Sequence, residues 1–239
     1  AGEPNSIFLE IFFKTIKKKK FKCPLILICS LNVLKLHMKK LNFKKKINII
    51  NISDINNIIL NSGSINLVNV PYIKKPKLGK ITSKSNNYIK RSFDIALKIL
   101  EKKITNKFIN GPVSKKYFLK KKYLGITEYL AYRTKTKNFA MLIYNKNLSV
   151  CPLTTHLPLK KVSKFIEKKM IKEKIKLLDK FFKKYLKQKP RIAVTGLNPH
   201  CESIDSFNED EKIIKPTIKS LVKSDYKIFG PFAADTIFL

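Results

Sequence analysis

Apolar runs of strand length alternate with longer amphipathic stretches of helix length along the whole chain, and this alternation restricts the fold more than any other feature. Strands and helices in alternation pack best as a largely parallel sheet covered by helices. Residues 7–19 place Ile7, Ile11, Phe12 and Ile16 at helical spacing. Pro24 to Cys29 suits a buried strand, and a helix is predicted near 30–40. From 51 to 90 the chain is polar and rich in asparagine, with strand-like pieces such as Ile65 to Val70. Phe93, Ala96, Leu97, Leu100 and Ile104 then predict an amphipathic helix. Phe108-Ile109-Asn110 reads as the end of a strand that Gly111-Pro112 turns into a helix. Apolar runs at 139–143 and 148–153 flank Tyr144-Asn145-Lys146-Asn147 and predict a hairpin. Residues 160–187 read as helix in one or two pieces, and Arg191 to Leu197 as a buried strand. Ser206-Phe207-Asn208-Glu209 has the spacing of a capping box opening a helix over 208–223. Pro216 should kink that helix, and Ile228-Phe229 should end the last strand before Gly230-Pro231.

Three segments share one design, an apolar strand running directly into polar, turn-rich residues. They are Val150 to His156, Ala193 to His200, and Phe229 to Thr236. In open α/β sheets ligands bind in the crevice beyond the carboxyl ends of the strands. His156, His200 and Asp235, placed at such ends, could therefore converge on one metal or one substrate. Two of the three histidines in the chain occupy these positions; His37 lies on a basic helix and reads as structural. Two histidines do not complete a catalytic zinc site, which takes three protein ligands and leaves one position open. Asn110 to Lys115 forms a strand-to-helix turn with a lysine in the first helical turn. Free N–H groups beside a cation favour phosphate there, although a tight turn with proline at the helix start explains the motif equally well.

The charge is extreme, 51 Lys+Arg against 16 Asp+Glu, or +35. Lysine rises together with isoleucine and asparagine, most lysines fall on predicted helix faces, and few aromatics interleave with them as stacking platforms. Solvated faces and a compositional bias account for this, so a nucleic-acid partner is not expected. Cys23, Cys29, Cys151 and Cys201 lack CxxC spacing and read as reduced thiols of a cytoplasmic protein. No apolar run reaches the roughly 20 residues that cross a bilayer, and no signal peptide is expected. The chain opens on Ala1-Gly2-Glu3-Pro4 and stops at Thr236 to Leu239 within an apolar segment, so it is expected to be part of a longer protein.

Thr154-Thr155-His156-Leu157-Pro158-Leu159, Pro190 to Val194 leading to Gly196-Leu197-Asn198-Pro199-His200, and Gly230-Pro231 with Ala234-Asp235-Thr236 resemble consecutive signatures of the 4-hydroxythreonine-4-phosphate dehydrogenase family. Asn110-Gly111-Pro112 with Lys115, Gly125 with Thr127 to Ala131, and Gly2-Glu3-Pro4 resemble further family segments, in order and with compatible spacing. The resemblance implies a three-layer α/β/α fold related to isocitrate and isopropylmalate dehydrogenases. Its approximate subdomains would be 1–115 and 116–229, with 230–239 returning toward the first and a C-terminal part missing. It further implies a homodimer that uses NAD or NADP and a divalent metal (zinc, magnesium or cobalt) for an oxidative decarboxylation on the route to pyridoxal phosphate. His156 and His200 match two of three metal-binding histidines, and the third would lie beyond Leu239. Thr127 matches a substrate contact, Lys115 a position beside substrate, and Asp235 a motif at the active-site cleft, where it would serve as base or orienting group.

The chain departs from the family at several places. Ile126 stands where a histidine usually contacts substrate, Ser6 and Phe8 replace glycines of the opening turn, and Cys201 to Asp205 replaces a glycine-rich run. Losing a polar contact at Ile126 leaves a second reading open, a sister dehydrogenase acting on threonate or erythronate phosphate, and the +35 charge leaves a weaker one, a basic nucleic-acid-binding protein on an enzyme-like fold.

Overall fold

The computed structural model describes residues 2–55, 59–73, 76, 78–120 and 122–238. Parts of the asparagine-rich 51–90 stretch (56–58, 74, 75 and 77) and Leu239 lie outside the described residues. The chain divides into two compact units, residues 1–126 and 127–239.

The first unit is built on a three-stranded parallel sheet, β1 (Ile26–Cys29), β2 (Ile47–Ile49) and β3 (Ile65–Asn69), in the order β1-β3-β2. Central β3 is buried at four of its five residues, as expected for a parallel strand covered on both faces. Its buried Asn66 is fully engaged: Nδ2 donates to the carbonyls of Leu25 and Asn61, and Oδ1 accepts from Asn61 N–H and Asn48 Nδ2. β2 escaped the sequence reading because three residues amid lysines carry no periodic signal.

Around the sheet lie α1 (Phe8–Lys18), α2 (Leu31–Lys40) and α3 (Asn86–Glu101). α1 buries Leu9 and Phe13, one turn apart, and Phe13 stacks on Phe43 at 4.5 Å. α2 turns His37 inward with Val33 and Leu34, in keeping with its structural reading. α3 packs on β1 through a stripe that includes Ile89, Phe93, Ala96 and Leu97. It begins inside the stretch read as polar, and it stops before Ile104, which the periodicity had included. Phe108-Ile109-Asn110 is not a strand; Phe108 instead meets the Phe93 ring edge-on at 5.6 Å. The turn after it leads into one wide helical turn, Lys115–Leu119, capped by the Ser114 hydroxyl, which accepts from Tyr117 N–H at 3.1 Å.

The second unit holds the parallel pair β4 (Ile192–Thr195) and β5 (Ile228–Phe232), with a register shift between Ala193 and Thr195. β5 continues through Gly230-Pro231 rather than ending before it; Gly230 sits at φ +124°, where a side chain would be strained. β4 is half-buried, not buried, since a two-stranded sheet covers little of either face.

The helices of this unit are α4 (Ile126–Arg133, of which Thr127 onward belongs here), α5 (Leu159–Val162), α6 (Lys168–Phe181) and α7 (Lys215–Val222). Ile171 and Ile175 of α6 pack with Ile166, Ile214, Ile218, Leu221 and Ile228 in one apolar cluster. Each fully buried isoleucine contributes about 1.5–3 kcal/mol. The predicted hairpin reduces to one antiparallel bridge, with Ile143 and Val150 exchanging backbone hydrogen bonds at 2.8 and 2.9 Å.

The capping box at Ser206 does not form. Asn208 caps instead, its Oδ1 accepting from the N–H groups of Asp210 and Glu211 at 2.9 and 3.2 Å. Pro216 falls in the first turn of α7, behind a wide turn at Asp210–Ile214, and there its missing N–H does least harm.

Candidate functional site

Because β4 and β5 run parallel, the loops that follow them leave from the same edge of the sheet. Gly196 N–H donates to the Phe232 carbonyl at 2.9 Å and ties the two loop origins together. One loop carries His200 and the other Asp235; both side chains are exposed. Asp235 lies near enough for its charge to be felt at the Cys201 thiol, next in sequence to His200. That thiol is pushed up by burial first and the Asp210 carboxylate second, and Gly196 N–H partly offsets this.

His156 arrives by a different route. Leu153 and Leu197, each three residues ahead of a candidate histidine, pack against the same apolar cluster. The loop of His156 is also held to α4, where the Thr155 hydroxyl donates to Glu128 Oε1 at 3.0 Å. The other Glu128 oxygen is buried without a hydrogen-bond partner among the described residues. His156 and His200 are themselves exposed and both adopt left-handed backbone, at φ +57° and +54°.

A metal would need more donors than these. Among the described residues no three of His, Cys, Asp and Glu gather closely enough to hold one. Two imidazoles on this chain do not make a metal site by themselves.

Thr127 lies half-buried in the first turn of α4, directly before Glu128. Ile126, the preceding residue, is half-buried at the end of the first unit. Lys115, also in the first unit, opens the wide turn after Gly111-Pro112 with its side chain exposed. There the opening turn meets the Asn110-Gly111-Pro112 turn closely: Glu3 N–H donates to the Pro112 carbonyl at 2.9 Å, and a Cβ on Gly2 would lie 2.8 Å from Gly111 Cα. The ring of Phe8 fills the space over Gly111 so closely that no side chain fits there.

Sequence reasoning missed two carboxylates that act on these loops. Glu128 adjoins Thr127 within one motif. Asp210 lies in the acidic run Glu209-Asp210-Glu211, which reads as a solvated helix start until the structure turns it inward.

Among the described residues no helix is long and apolar enough to cross a membrane. The sequence matches the family described as Pyridoxal phosphate biosynthetic protein PdxA over residues 20–239. A 4-hydroxythreonine-4-phosphate dehydrogenase of Sulfurihydrogenibium sp. (strain YO3AOP1) is 33% identical, the match covering 99% of this chain and 74% of that relative. A D-threonate 4-phosphate dehydrogenase of Salmonella typhimurium is 26% identical over 100% of this chain and 74% of its own length. The crystal structure of 4-hydroxythreonine-4-phosphate dehydrogenase from Klebsiella pneumoniae superposes with a TM-score of 0.81 at 24% identity, covering 99% of this chain and 74% of that one. An α/β dehydrogenase fold, a family match over most of the chain and the ordered motifs around His156, His200 and Asp235 agree, and the chain belongs to the 4-hydroxythreonine-4-phosphate dehydrogenase family of pyridoxal phosphate biosynthesis.

Proposed function

We propose that the protein oxidises and decarboxylates 4-phosphohydroxy-L-threonine to 3-amino-2-oxopropyl phosphate, with NAD or NADP as hydride acceptor. The observation that carries this reading is the joint anchoring of the loops bearing His156, His200 and Asp235, through the β4–β5 pair and one apolar cluster. Asp235 accepts the proton of the substrate C3 hydroxyl or orients that group. A nicotinamide cofactor, when bound, would supply the acceptor for the C3 hydride, and the β-keto acid so formed would lose its carboxylate as carbon dioxide. The Thr127 hydroxyl hydrogen-bonds the substrate, and the exposed Lys115 ammonium attracts its phosphate. His156 and His200 contribute imidazoles to a divalent metal site that further donors must complete. A homodimer in the cytoplasm is part of the same reading.

Ile126 favours a second reading, in which the substrate is a threonate or erythronate phosphate. An anionic substrate group buried without its usual histidine partner loses about 1–3 kcal/mol, roughly a factor of 5 to 150 in affinity. The test follows NAD(P)H formation with 4-phosphohydroxy-L-threonine and with D-threonate 4-phosphate, on the parent and on Ile126→His. Turnover of the first substrate, improved by the histidine and abolished by His200→Ala, is the expected result. Preference of the parent for the threonate phosphate establishes the second reading, and turnover of neither sinks both.

A further inference from the structure

We infer that Asp210 is a positioning residue that holds the loop presenting His200. Its side chain is fully buried, at 0% exposure, yet among the described residues it forms no ion pair. The carboxylate turns toward the loop after β4. Oδ1 accepts from Leu197 N–H at 2.8 Å, and Oδ2 accepts from Asn198 N–H at 3.0 Å and Asn198 Nδ2 at 2.9 Å. Hydrogen bonds to an ionised acceptor are roughly twice as strong as neutral ones, and here three donors within two consecutive residues share one carboxylate.

The carboxylate itself has a firm base. Its own N–H is held by Asn208 Oδ1, and Ile214 and Thr217, on the helical turns that follow, are buried. The loop closes tightly over it. A Cβ on Gly196 would lie 2.8 Å from Asp210 Oδ1 and 2.6 Å from Cys201 Sγ, so only glycine fits there. His200 and Cys201 follow at φ +54° and +62°, a backbone path that L-residues keep only when neighbours impose it. A carboxylate fixing two successive amides just upstream supplies that constraint. Burying a charge is a poor means of gaining stability alone, because desolvation opposes the attraction. Holding one loop in one geometry is a function that suits it.

The importance given to His200 rests on the proposed dehydrogenase reading, but the positioning itself is tested without turnover. The chain has three histidines, so ring C–H resonances report His200, His156 and His37 separately. In Asp210→Asn an NH2 group faces N–H donors. The amides of Leu197 and Asn198 should lose about tenfold or more of their protection from hydrogen exchange, the equivalent of one lost net hydrogen bond. The His200 resonances should shift, while those of His156 and His37 and the amides of Ile192 to Val194 stay as in the parent. Unchanged protection at Leu197 and Asn198 with unchanged His200 resonances overturns the inference. If Asp210→Asn unfolds the unit, Asn198→Ala decides: it removes one donor and leaves the carboxylate in place. Displaced His200 resonances in that variant support the role, and unmoved ones refute it. Absence of NAD(P)H formation by the parent, with the loop signals of Asp210→Asn displaced as expected, would count against the proposed function and leave the positioning standing.

Discussion

Cys29 ends β1 with its thiol buried, and that burial raises its pKa from 9.0 to about 12. Tyr88, whose oxygen accepts from Ser30 N–H, is raised by burial as well. Above pH 9 the unfolded chain releases the Cys29 proton and the folded chain keeps it. Stability is therefore full below that pH and falls as pH rises toward the folded value. Urea unfolding of the parent between pH 9 and 11 should lose up to about 1.4 kcal/mol per pH unit more than Cys29→Ala, which lacks the group. Parallel slopes in parent and variant would refute the assignment. The loop positions of His200 and Asp235 were legible because each follows an apolar strand, and the chemical roles given to them and to His156 are part of the proposal. Asp210 and Glu128 were not legible, since a carboxylate in an acidic or motif-rich run looks the same in sequence whether it faces water or a buried amide. Only folding decides which backbone donors it meets.

Helices were read more securely than strands, and the reason is local. α1, α2 and α6 carry apolar residues one turn apart, a period that survives a lysine-rich background. A strand such as β2 is too short to show a period, and 108–110 is apolar enough to suggest pairing without having a partner. Helix starts hinge on single hydrogen bonds: Ser206 and Asn208 are both good caps, and geometry selects Asn208. Asn208→Ala should therefore destabilise the second unit by about 0.5–2 kcal/mol in thermal or urea unfolding. Ser206→Ala, at an exposed position, should stay within about 0.5 kcal/mol of the parent. The reverse order would restore the capping box read from the sequence.

Across the whole molecule the +35 charge is opposed by few acids, and three of the four ion pairs identified among the described residues join side chains one helical turn apart. Such exposed pairs contribute little, so the net field is one of self-repulsion. Raising ionic strength from about 0.01 to about 1 M shortens the screening length from about 30 to about 3 Å and should raise the unfolding temperature. A fall in that temperature would mean that specific attractions outweigh repulsion. α6 shows how the fold accommodates such a charge. It buries Ile171 and Ile175 in the apolar cluster, while Lys168, Lys169, Lys176 and Lys180 stand in solvent. The outer face of that helix is thereby released from selection by packing, and its lysines can come and go with the base composition of the gene. Mutational drift has a place to accumulate there, outside the loops on which the proposed chemistry depends.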